Sequence, residues 1–179
     1  MPTADQEARL RGMTFVLQVI TLALVLGVSL FTGYTVLLAG ALRKQPEGTT
    51  MSIVGVGMAI SAIICQYVAF AVCDAAAVRN ARGNPNAEIG PIYFLRTLIS
   101  LAFLESAAFM NAIALLQEHN AWSLAIIGVV LVLMLLRLPT RTRVEQWLEA
   151  RRMDASASAA DRDEDWPRGN DDFGDRPNA

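Results

Sequence analysis

Glu105 stands where a carboxyl is hardest to keep. Uncharged residues precede it from Thr97 to Leu104 and follow it from Ser106 to Ala108. An acidic group at the centre of a bilayer costs on the order of 2.5–3.5 kcal/mol even on lenient insertion scales. A chain that keeps one there must compensate. Either the carboxyl is protonated, or it faces a cation or a polar partner. Gln66 lies about as far from the middle loop on its own apolar stretch as Glu105 does on the next. The two could therefore meet at one depth, across the hairpin or between neighbouring copies. One outcome is a single hydrogen bond that holds two helices together. The other is a switchable ion site built from Glu105, Ser106 and Gln66. Both remain open at the level of sequence.

The remaining polar residues suggest plainer roles. Arg96 precedes Glu105 by nine residues, roughly 13 Å along a helix, too far for a direct ion pair. It is expected to snorkel toward the interface. Asp74 is expected to pair with a nearby arginine such as Arg79 or to stay hydrated, and a part in proton access is a minor alternative. Asn111 can bond across helices. His119 falls in a short polar turn and reads as a solvated loop residue. Cys65 and Cys73 form no CxxC pair and have no histidine beside them, so a packing role is expected rather than redox or zinc chemistry. No Ser-His-Asp set, metal-ligand cluster or phosphate loop is evident. No enzyme activity, cofactor or metal is therefore expected. Without a basic patch interleaved with aromatics, nucleic acid is not an expected partner either.

The elements that position these residues are apolar helices. Of the 179 residues, 54% are hydrophobic and 18% charged, and the mean hydropathy is +0.38. Soluble domains run to ~25% charged. The charges are also segregated, with none between Gly12 and Leu42. A membrane helix needs ~20 apolar residues. The pattern predicts an all-α, polytopic membrane protein with four transmembrane helices over 13–42, 51–78, 92–116 and 121–138, after a polar arm at 1–12. Ala39-Gly40-Ala41 has the form of a signal cleavage site, but the apolar stretch before it exceeds the ~7–15 residues of a signal core. It is expected to be a retained anchor. On the second helix Gly57, Ser61, Cys65, Ala69, Cys73 and Ala77 recur every four residues. On the third, Ala102, Ala108 and Ala112 flank Glu105. Both stripes are expected to be packing seams.

Orientation follows from the basic residues. With four spans, ten Arg/Lys share the side of the N-terminus, the middle loop and the C-terminal flank, against Arg43 and Lys44 on the other. The expectation is a multi-pass protein of the inner (cytoplasmic) membrane, N-in and C-in. Residues 139–153 place Val144, Trp147 and Leu148 opposite arginines and read as an interfacial amphipathic helix, or else as a solvated extension. Residues 154–179 carry three basic and eight acidic residues. They are expected to be disordered.

The run Leu98-Ile99-Ser100-Leu101-Ala102-Phe103-Leu104-Glu105, with the loop Ala81-Arg82-Gly83-Asn84-Pro85-Asn86 before it, resembles the c subunit (proteolipid) of F-type ATP synthases. The resemblance covers about 57–116. It implies an ion-binding carboxylate at Glu105, with Ser106 and Gln66 standing where sodium-binding members carry a Ser and a Gln. It also implies H+ or Na+ translocation within a homo-oligomer or larger membrane complex. Only Gly55 and Gly57 stand where the family has a dense glycine run, and Met110 replaces a frequent aromatic. The alternative function is a structural or accessory four-helix membrane protein without transport, whose tail recruits a soluble partner.

Overall fold

A computed structural model describes residues 4–83 and 89–165. Five helices follow one another: α1 (Ala4–Leu37), α2 (Thr50–Gly83), α3 (Gly90–Glu118), α4 (Trp122–Leu136) and α5 (Arg141–Asp165), with a 3₁₀ turn at Ala41–Arg43 after α1. No strand occurs among the described residues. α1, α2 and α3 are each long and apolar enough to cross a membrane. α4 has 15 residues, about 22 Å, against a hydrocarbon core of about 30 Å. It reaches spanning length only together with α5, from which it is bent by 70°. The chain is a multi-pass membrane protein, with three such helices among the described residues, or four counting the bent pair.

Local chemistry sets the boundaries. α1 begins well before residue 13, because Ala4 to Arg11 are mostly good helix formers. It ends at Leu37 rather than 42, because Gly40 turns the chain at φ 64°, a left-handed conformation that suits a residue without Cβ. Pro91 opens the first turn of α3, where its missing N–H costs nothing. α4 stops before Pro139, whose ring disfavours helical backbone at the residue ahead of it. The Arg143 guanidinium then donates to the free Leu136 carbonyl at 2.7 Å.

α3 is the central helix. Half of its apolar window is buried, compared with 22% for α1 and 17% for α2. Leu101, Leu104, Ala108, Ala112 and Leu115 of α3 close on Val28 of α1 and on Ile127, Val130 and Met134 of α4. α2 buries Ser52, Gly55, Ala62, Gln66, Cys73 and Ala77, with α3 as its main neighbour. That seam differs from the four-residue stripe. Gly57, Ser61 and Cys65 are exposed; Ala69 is half-buried, and of the two cysteines only Cys73 is buried. The reason is rotational. Each step of four over-rotates a 3.6-residue helix by about 40°, so a stripe from 57 to 77 winds about 200° round and meets α3 only at its far end. On α3, Ala108 and Ala112 are in the core, whereas Ala102 lies outside it.

α5 folds back across the ends of the other helices. Val144 packs with Leu17 and Tyr93, and Trp147 and Leu148 join them. Ala155 packs with Ala81 and Ile89. The apolar side expected to lie on lipid is thus covered by the protein itself. The helix also runs through 154–165, where disorder was expected. Alanine-rich composition favours helix there, and Arg151 ties to Asp154 at 2.8 Å. The rest of that tail, 166–179, and Asn84, Pro85 and Asn86 of the loop lie outside the described residues.

Candidate functional site

The three residues expected to form an ion site do not converge within one chain. Gln66 is buried, and its Nε2 donates to the Ser100 hydroxyl. Ser106 donates to the Ala102 carbonyl of its own helix at 2.8 Å. Glu105 is half-buried and makes no hydrogen bond or ion pair among the described residues. Helical geometry explains the separation. Ser100 and Glu105 are five residues apart, hence about 140° apart around α3, so the side that meets Gln66 is not the side that bears the carboxyl. One turn beyond Glu105, Phe109 meets Phe31 with ring centroids 5.6 Å apart. Glu105 therefore stands on the α1 side of α3.

At one end of the α2–α3 hairpin, a dense set of polar groups ties the two helices together. The Glu118 carboxylate accepts from the Met51 N–H at 2.6 Å and from the Ser52 N–H at 2.7 Å. These are free donors at the start of α2, where the helix dipole favours a negative charge. The Glu118 carbonyl accepts from Glu47 N–H at 2.9 Å. Asn120 donates to the Gly48 carbonyl at 2.7 Å. His119 takes a left-handed conformation, φ 58°, as its N–H bonds Leu115 and ends α3. It is buried rather than solvated, because the turn containing it is pinned against α2. Nearby, Asn111 donates to the Gly55 carbonyl at 2.9 Å. A Cβ on Gly55 would lie 2.7 Å from Asn111 Oδ1, so any larger residue here would force the Asn111 side chain to move.

The opposite end is organised around Asp74. Its carboxylate accepts from Trp147 Nε1 at 3.0 Å and from Arg151 at 2.9 Å, and it lies 3.5 Å from the Arg96 guanidinium. One carboxylate thereby ties α2 to α3 and α5. Arg96 also stacks 4.2 Å over the Phe70 ring, and Arg137 approaches the same ring at 4.7 Å. Beside this hub is a cavity of about 200 Å³. Arg96, Arg137 and Arg143 reach it from three elements, and Phe70, Tyr93 and Trp147 wall it. Thr97 and Ser100 supply hydroxyls. Arg137 and Arg143 have no carboxylate partner among the described residues.

No known protein family, curated protein or solved structure matches this chain. Its site must be understood from its own residues.

The Asp74 hub differs from the sequence expectation. Arg79 is exposed, and the arginines at Asp74 come from 22 and 77 residues along the chain. The signal present in the sequence was the set of arginines flanking apolar stretches, together with Trp147. Their convergence depends on the 70° bend after α4, which no local pattern specifies.

Proposed function

We propose that the chain is a four-span protein of the inner membrane, N-in and C-in, acting as a non-catalytic structural or accessory component. The bilayer and other membrane subunits, including copies of itself, are its partners. The ten-to-two bias of basic residues supports the orientation. One observation carries the role: Gln66 is engaged with Ser100, on the side of α3 turned away from Glu105. Gln66, one of the three groups expected at an ion site, is used instead to join α2 to α3.

A second reading rests on Glu105 itself. It is a mid-helix carboxyl with no hydrogen-bond or ion-pair partner among the described residues, so H+ or Na+ binding in the manner of a c subunit would require a neighbouring copy to complete the site. Purified protein reconstituted into vesicles separates the two. Under the accessory role, neither imposed H+ nor Na+ gradients decay faster than in empty vesicles, and Glu105→Gln changes nothing. The protein then runs as a small assembly by native mass. A closed ring, with carbodiimide labelling of Glu105 that slows as pH rises and is blocked by sodium, would replace the accessory role with ion carriage.

Topology has its own test. In a Cys65→Ala/Cys73→Ala background, Gln45→Cys and Gln117→Cys should label from outside, and Asn84→Cys from inside. Outside labelling at residue 84 would overturn the four-span orientation.

A further inference from the structure

We infer that the arginine-lined cavity binds a phosphate-bearing anion, held by Arg96, Arg137, Arg143 and the Ser100 hydroxyl. Charge is the first argument. Three guanidiniums line one cavity, and the carboxylate nearest to it, Asp74, is already shared by Arg96, Arg151 and the Trp147 indole. Arg137 and Arg143 are left without a counter-charge among the described residues. Two of the three, Arg96 and Arg137, crowd a single phenyl ring. Like charges gathered in a partly desolvated site repel one another, and an anion between them removes that repulsion.

Unfilled hydrogen bonding is the second argument. Arg96 Nε is buried without an acceptor. Ser100 is buried and accepts from Gln66, so its own proton is free to donate into the cavity it lines. Arginine forks match the paired oxygens of a phosphate better than lysine does. The space also fits. About 200 Å³ equals the share of roughly six or seven waters at ~30 Å³ each, enough for a phosphate with a small substituent.

Depth is the third argument. Arg96 lies eight residues from the middle of α3, roughly 12 Å along its axis, and half the hydrocarbon core is roughly 15 Å. The cavity therefore lies close to the boundary between hydrocarbon and headgroups, where a long arginine side chain can reach the phosphate layer. A lipid headgroup and a free phosphate offer the same chemistry, and the test distinguishes them. The inference does not depend on the role of Glu105.

Full-length protein in neutral detergent is examined by native mass spectrometry against dioctanoyl phosphatidylglycerol, dioctanoyl phosphatidylcholine and inorganic phosphate. One phosphatidylglycerol should be retained about tenfold more tightly than phosphatidylcholine. Arg137→Gln/Arg143→Gln should weaken it by about tenfold, and Arg137→Lys/Arg143→Lys by less. Arg152→Gln, on the exposed side of α5, should leave it unchanged. Displacement by inorganic phosphate would identify a free anion as the occupant, and lipid retention that ignores phosphate would identify a headgroup. Equal retention by the double glutamine variant, equal retention of phosphatidylcholine, or binding of neither phosphatidylglycerol nor phosphate would overturn the inference. Should the double variant fail to fold, Arg137→Gln alone answers the same question, because that side chain has no ion pair to lose.

Discussion

The two ends of the α2–α3 hairpin manage charge in opposite ways. At the Glu118 end, one carboxylate meets two backbone donors that have no other partner within their helix. Positive and negative partial charges balance, and the chain turns tightly. At the Asp74 end, one carboxylate serves Arg96 and Arg151, while Arg137 and Arg143 border a cavity with no carboxylate partner among the described residues. The first end balances its charge within the fold. The second leaves positive charge in excess, which costs stability unless something else supplies the anion. The difference separates polar groups that build a fold from polar groups arranged around a space.

Removing charge should therefore have opposite consequences at the two ends. The largest effect is expected for Glu118→Ala. It removes two charge-assisted hydrogen bonds and leaves two backbone donors at the start of α2 without an acceptor. The unfolding temperature in detergent should fall further than for any substitution below. Glu118→Gln, which can still accept, should lose less. A near-neutral Glu118→Ala variant would mean that this end is not closed as described.

Gly55→Ala comes next, because the new Cβ would press on the Asn111 side chain. Overpacking of this kind costs about 2 kcal/mol. Adding Asn111→Ala should return much of that loss, so the double-mutant cycle should show strong coupling. Additive losses would place the clash elsewhere.

At the other end the effects should be smaller and of mixed sign. Asp74→Asn removes the carboxylate shared by Arg96 and Arg151 and should cost about 1.5 kcal/mol, moderated by partial exposure. Arg137→Gln gives up a stack on Phe70 but relieves crowding among guanidiniums. Its stability should stay within about 0.5 kcal/mol of the parent protein. A large loss from Arg137→Gln, measured by the same thermal unfolding, would erase the contrast between the ends.

Much of this molecule was legible in the sequence because it follows from runs of one chemical type. Uncharged stretches bounded by Pro, Gly and arginine established that the chain is helical and enters the membrane. Pro91 and Pro139 also marked where helices begin or end, whereas Gly40 ended α1 five residues before the expected bound. Which face of a helix meets which neighbour was not legible. The stripe through Gly57, Ser61 and Cys65 and the pairing of Gln66 with Glu105 were both natural expectations. A rotation of 40° per four residues sets the first aside, and one of 140° per five the second.

Only the tertiary structure decided that Gln66 meets Ser100, that Glu118 reaches back across the hairpin to start α2, and that Asp74 gathers arginines from two other helices. Those choices depend on how α3 is rotated against its neighbours and on the bend between α4 and α5. Composition determines that a segment is buried in lipid. The azimuth of each side chain, fixed only when helices pack, determines what that side chain touches.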